Sequence, residues 1–212
     1  MFKSIFILLV LSISALAQGQ DLLLDRLLDA VKDNDIQTVR TQIQRGMSVD
    51  SSDPDGNTLL MLASREGRPE MVKVLLDLKA SPKHRNSVGD SPLMFAALGG
   101  NLDVVRLLVD RGAEINQSGW TALHYCAWIG QTEVCKFLLD KGADIDAVSA
   151  NGTTPLMMAV RGGHLATVKL LVWEVAELDT RNQDDATALQ WALKGNHTEI
   201  ANHLKQAGAK EQ

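Results

Sequence analysis

The sequence predicts an all-α solenoid of six helix-turn-helix units joined by β-hairpin-like finger loops. Three observations predict it. Gly67, Gly100, Gly130 and Gly163 stand 33, 30 and 33 residues apart, and Asn34 and Asn196 continue the series by 33 on either side. A second series, Gly46, Lys79, Gly112, Gly142, Val175 and Gly208, keeps the same steps. The sequence between the two series recurs as NLDVVRLLVDRGAEIN, QTEVCKFLLDKGADID and HLATVKLLVWEVAELD. Repetition at a fixed period of roughly 20–50 residues is the signature of a stacked array.

Residues 1–17 stand outside the array. Lys3 gives a positive start, Ile5 to Leu16 is apolar apart from Ser12 and Ser14, and Ala15-Leu16-Ala17 forms an A-x-A cleavage signal. The apolar run is about twelve residues, too short for a comfortable membrane anchor. The expectation is a cleavable signal peptide and a mature chain starting near Gln18. Such a chain is periplasmic or secreted, a bacterial periplasm being the expected setting, and free of the membrane after cleavage.

The units follow at about 21–50, 54–83, 88–116, 119–146, 151–179 and 184–210, within one domain of residues 18–212. Each carries two short amphipathic helices. Leu93, Ala96, Ala97 and Gly100 share the face of a first helix, and Val104, Val105, Leu107 and Leu108 that of a second. The glycine between them ends the first helix, where a left-handed residue is needed. Such a pair cannot bury its apolar faces alone but can do so against copies of itself. The outer units are polar, with Gln37, Arg40, Thr41, Gln44 and Arg45 at one end and Glu199, Asn202, Lys205 and Gln206 at the other. That is what terminal caps require.

The stretches GDSPLMFAALGG, GWTALHYCAWIG and GTTPLMMAVRGG precede the inter-helix glycines. Thr121-Ala-Leu-His-Tyr-Cys and Thr154-Pro-Leu-Met-Met-Ala within them echo T-P-L-H-x-A, so the chain resembles the ankyrin repeat over about residues 21–210. The resemblance implies a non-enzymatic module that binds another protein on its concave face, without cofactors. It also makes His124 a structural hydrogen-bonding residue. The chain is 45% hydrophobic and 22% charged, as a folded domain is, with a formal net charge of −5 and a pI of about 5.5. No Lys/Arg run tracks phosphates, so nucleic acid is not an expected partner. A monomer is expected.

Gly119–Cys135 concentrates Trp120, Trp128, Tyr125, His124 and both cysteines. Leu123, Cys126 and Ala127 share the buried side of one helix, which leaves Tyr125, Trp128 and Ile129 on the groove side. Through the repeats, Tyr125's column reads Leu62, Phe95, Tyr125, Met158, Trp191, and Trp128's reads Arg65, Leu98, Trp128, Arg161, Lys194. Trp120 belongs to the finger before its helix, whereas Phe137 and Trp173 fall outside the groove columns. Aromatic anchors with scattered arginine are what binding hot spots are made of. The expected partner-binding set is therefore Phe95, Leu98, Trp120, Tyr125, Trp128, Ile129, Met158, Arg161 and Trp191. The finger before Trp120 is three residues short, so the groove edge is notched there.

Other chemistry finds little support. His124 and Cys126, two apart on a helix, diverge, and no Cys-x-x-Cys or His-Glu-x-x-His is present. Met61, Met94 and Met157 replace the repeat's histidine, as Gln190 does; thioethers can bind copper, but methionine more often fills core gaps. Cys126 and Cys135 replace a first-helix alanine and a second-helix valine within one unit. They are either a disulfide, which an oxidising compartment favours, or two buried thiols. A redox- or metal-responsive protein using these cysteines and methionines is the alternative to protein binding. Gly89-Asp-Ser-Pro-Leu lacks the last glycine of a nucleophile elbow, and no catalytic residue emerges.

Overall fold

The computed structural model describes residues 22–211. The predicted leader lies outside them. Among the described residues, twelve helices follow one another as six helix-turn-helix pairs. They are α1 (22–32) with α2 (Ile36–Gln44), α3 (Leu59–Arg65) with α4 (Pro69–Asp77), and α5 (Pro92–Gly99) with α6 (Leu102–Asp110). Then come α7 (Ala122–Ile129) with α8 (Thr132–Asp140), α9 (Pro155–Arg161) with α10 (Leu165–Trp173), and α11 (Ala188–Lys194) with α12 (Thr198–Gln206).

First helices stack on first helices, in the order α3, α5, α7, α9, α11, and second helices run alongside. The first helices form the inner layer: Leu59 to Ser64 and Pro92 to Ala97 are buried without interruption. One continuous apolar core runs from Leu27 to Ala209. Both residue series identified in the sequence are positions of left-handed backbone, from Asn34 (φ +59) to Asn196 (φ +56) in one and Gly46 (φ +103) to Gly208 (φ +102) in the other. The period is therefore a turn requirement repeated unit after unit. Gly99 is glycine for a different reason. A β-carbon there would lie 2.4 Å from the Arg65 carbonyl oxygen, so only a residue without one lets α5 press on the end of α3.

Four of the first helices, α3, α5, α7 and α11, open with a reciprocal cap, and α9 has the hydroxyl half of it. The hydroxyls of Thr58, Ser91, Thr154 and Thr187 accept from the backbone N–H three residues on. In return, after Thr58, Ser91 and Thr187, the side chain at that third position accepts from the capping residue's own N–H, satisfying a second orphan donor. Gln190 does this with Oε1 at 2.9 Å, and Met61 and Met94 do it with sulfur at 3.4 and 3.2 Å. These methionines are buried, one in each unit, where the repeat's histidine would stand. Their placement gives them a structural role in place of the soft-metal one weighed from the sequence.

The fingers are tight turns with little strand character; Ser52 and Thr58 make the one isolated antiparallel bridge among the described residues. Asp53, Asn86, Ser149 and Asn182 each begin a turn in which their backbone N–H donates to a carbonyl four residues on. Their side-chain oxygens accept from the N–H of that same residue, Asn57, Asp90, Thr153 and Ala186. Neighbouring fingers are clasped by backbone bonds from Ser87 N–H to Asp55 O and from Gln183 N–H to Asn151 O. The fourth finger, three residues short, has neither the turn nor a backbone clasp among the described residues.

Candidate functional site

The fourth unit gathers the aromatic residues singled out above. Trp120 stands just ahead of α7 and packs its ring 5.2 Å from Tyr125 and 6.5 Å, edge-on, from Trp128. Trp128 is 40% exposed and Ile129 38%, on the side of α7 opposite the buried Leu123, Cys126 and Ala127. Tyr125 is half-buried and its hydroxyl donates to Asp90 Oδ1 at 2.9 Å. Burial first, and then the Asp90 carboxylate and its hydrogen bond, hold the phenol well above its usual range, so it stays a neutral donor. An exposed indole backed by a second ring and a fixed tyrosine offers a rigid surface that loses little rotamer freedom on contact.

The rest of the predicted set divides. Arg161 is exposed, with its guanidinium 5.8 Å from the half-buried Trp191 ring, which forms a second polar-aromatic patch two units along. Leu98 is half-buried. Phe95 and Met158 do not belong to an open surface: they are 9% and 2% exposed. Their column lies in the seam where consecutive first helices meet, α5 against α3 and α7, and α9 against α7 and α11. Packing between units therefore takes these two side chains from any partner. Trp173, outside the predicted columns, is 82% exposed at the end of α10 beside the exposed Val175.

His124 is fully buried beneath the cluster. The Thr121 backbone N–H can only donate, so Nδ1 accepts from it at 3.2 Å; the Thr153 carbonyl can only accept, so Nε2 carries the proton across 3.0 Å. The imidazole is thus neutral, and burial holds its pKa below the ordinary value of 6.5 against the opposing pull of the Thr153 carbonyl. It ties the fourth unit to the fifth finger, the structural role that the repeat resemblance implied.

Cys126 and Cys135 are joined, with sulfurs 2.09 Å and α-carbons 5.6 Å apart, and both are fully buried. Of the two sequence readings, the structure takes the bridge, which staples α7 to α8. Bonded sulfurs have no lone thiolate for a metal, and no three His, Cys, Asp or Glu side chains converge among the described residues.

Sequence reasoning missed the cleft beside this cluster, although the short finger pointed to it. Asp90 and Val88 of the third finger, Gln117 and Trp120 of the fourth, Tyr125 of α7 and Ala150 of the fifth finger line a space of about 390 Å³. Gln117 occupies the place of a missing finger turn: its Nε2 donates to Trp120 O at 2.9 Å, approaches Met94 Sδ at 2.9 Å and reaches Gly89 O at 3.4 Å. Its Oε1 is buried without a hydrogen-bond partner among the described residues.

Comparison with known proteins fits this architecture. Family profiles described as ankyrin repeats match residues 27–117 and 78–149 in three-copy form, and 130–172 in many-copy form. Ankyrin repeat and KH domain-containing protein mask-1 of Caenorhabditis elegans is 36% identical over 118 residues, 53% of this chain and 4% of that protein. Ankyrin repeat and KH domain-containing protein 1 of Homo sapiens is 52% identical over 60 residues, 28% of this chain and 2% of its own length. The nuclear factor NF-kappa-B p105 subunit of Mus musculus is 33% identical over 116 residues, 51% of this chain and 12% of that one. The chain thus spans only a small fraction of the length of these eukaryotic relatives. What they share with it is a repeated unit whose general use is to bind other proteins without catalysis. On its matched residues, its stacked helix pairs and its left-handed turn series, this chain belongs to the ankyrin repeat family.

Proposed function

We propose that this chain is an extracytoplasmic binder that grips one partner protein with the groove side of its fourth unit. In that role it inhibits or neutralises an enzyme or toxin, or serves an enzyme as scaffold or helper. The observation that carries the reading is the Trp120–Tyr125–Trp128 cluster with its outer indole 40% exposed. A tryptophan placed for packing alone would be covered by the neighbouring units, as Phe95 is. The extracytoplasmic setting rests on the leader-like residues 1–17 and on the Cys126–Cys135 bridge, since reducing compartments keep thiols reduced. The full burial of that bridge favours a structural role for it over the redox-responsive alternative.

The test begins with capture of a partner from extracytoplasmic extract by the mature protein, followed by titration calorimetry of wild type and Trp128→Ala. Loss of an anchor of this kind weakens binding by about 2 kcal/mol or more, while stability falls by less than the roughly 3–5 kcal/mol of a buried tryptophan, because the ring is 40% exposed. Lys136→Ala on α8 leaves binding intact. A Trp128→Ala protein that binds normally but melts many degrees earlier refutes the groove reading. N-terminal sequencing of the native protein should start near Gln18; an intact Met1 on a cytosolic product refutes the export reading.

A further inference from the structure

We propose that the cleft at the shortened fourth finger is an arginine subsite, taking the guanidinium of an arginine side chain presented by the partner protein. The inference rests on the protein-binding reading above and names the chemistry of what enters the notch.

Three features of the cleft select this group. The first is Asp90. Its Oδ1 is engaged by the Tyr125 hydroxyl at 2.9 Å, which fixes the plane of the carboxylate, while Oδ2 has neither a hydrogen-bond nor an ion-pair partner among the described residues. A half-buried carboxylate with one committed and one free oxygen is an incomplete charge site, and it is completed most favourably by a cation that can donate. The second feature is the wall. The Trp120 and Tyr125 rings stand 5.2 Å apart, inclined at 53°, and both line the cleft. Their faces attract cations, and a planar guanidinium can stack on one while its forked N–H groups reach Asp90; an ammonium can do only one of these well. The third is Gln117, which is 8% exposed. Because its amide nitrogen is committed to Trp120, Gly89 and Met94, the buried carbonyl end is left without a hydrogen-bond partner beneath the cleft, and its dipole is not cancelled there.

The surroundings permit entry. The fourth finger is too short to fill the gap, so Val88, 78% exposed, and Ala150 stand as open posts on either side. Arg85 also lines the space, but its guanidinium is paired with Glu114 Oε2 at 2.9 Å, so it does not answer the Asp90 charge. An apolar side chain in the cleft would desolvate Asp90 without a partner, and an acidic one would be repelled. The net charge of −5 further favours encounter with a basic surface.

The probe is N-acetylarginine amide, titrated into the intact protein and followed by the proton–nitrogen correlations of Gly89, the Gln117 side chain and the Trp120 indole. Saturable shifts confined to these groups are expected, with a dissociation constant on the order of millimolar, as befits a single side chain. N-acetylcitrulline amide, the same shape without the charge, should bind at least about tenfold more weakly. Asp90→Asn keeps an acceptor for Tyr125 and should lower arginine affinity by a similar factor. Equal binding of the citrulline probe, shifts scattered over the surface carboxylates, or an Asp90→Asn protein that binds arginine normally each overturns the subsite. If Asp90→Asn does not fold, the comparison of the two probes on wild type decides. A partner that needs Trp128 while the protein ignores the arginine probe sinks this inference alone. A confined arginine response with a partner indifferent to Trp128→Ala sinks the groove reading instead.

Discussion

Val175 occupies left-handed backbone at φ +67 although it is β-branched, and its side chain is 81% exposed. Left-handed geometry costs an L-residue about 1–2 kcal/mol, and a valine in the open recovers little of that by burial. Four of the six positions in its series are glycine. Val175→Gly should therefore raise stability by about 1 kcal/mol net of glycine's extra unfolded-state freedom, read as a higher melting temperature. A lower one would show that the side chain contributes packing. His124 makes a pH-dependent contribution. Its folded pKa lies below the ordinary 6.5, so between the two values the unfolded chain binds a proton that the folded chain refuses. Stability is then complete above about pH 6.5 and falls as pH drops toward the depressed folded value. His124→Met, which installs the residue found in three other units, should remove that part of the pH dependence in melting curves between about pH 7.5 and 5.

At the scale of elements, the fourth pair is the one that carries a covalent staple. The bridged residues are nine apart. Closing so short a loop restricts the unfolded chain by about 2–3 kcal/mol in the chain-entropy account. Cys126→Ala with Cys135→Val restores the residue types that the third and fifth units use at those positions (Ala96 and Val105, Ala159 and Val168), so packing changes little. The double variant should lose roughly that amount in denaturant unfolding; an unchanged midpoint would mean that the bridge contributes nothing. The elements were legible in the sequence because their signals are local: the glycine and asparagine series marks the turns, and the apolar spacing marks the two helices of each unit. The cysteine pair was less legible, since sequence places two residues on facing helices but not their β-carbons within bonding reach. Phe95 and Met158 were misread as groove residues for a related reason. Periodicity assigns a side chain to a column, but not the depth at which that column sinks between two neighbouring helices. Gln117 was invisible, because its role exists only where a turn has been deleted.

The described residues form a row in which each unit touches only its neighbours, so stability adds along the row, and its outermost helix pairs have a neighbouring pair on one side only. The first unit shows this: Val39 is the only buried residue of α2, whereas α4 buries five of its nine. Hydrogen exchange should therefore open α1, α2 and α12 at the lowest free energy. The amides of α5, α7 and α9 should open last, near the global value. Uniform exchange across all six pairs would contradict a nearest-neighbour stack.

The fingers give the row a mechanical character. A stack of this kind behaves as a curved rod, and its bending stiffness on the groove side comes from what ties one finger to the next. Second to third and fifth to sixth are tied backbone to backbone, through Ser87 with Asp55 and Gln183 with Asn151. Around the fourth finger the ties are made by side chains: Gln117 reaches Gly89 at 3.4 Å, Tyr125 donates to Asp90 at 2.9 Å, Asn116 bonds Gly142 O and Asp144 N–H, and His124 reaches Thr153. The middle of the row is thus held by side chains where its two arms are held by main chain, and by the α7–α8 disulfide. Single substitutions can therefore loosen the row at its middle, whereas the ties of the arms survive any change of side chain.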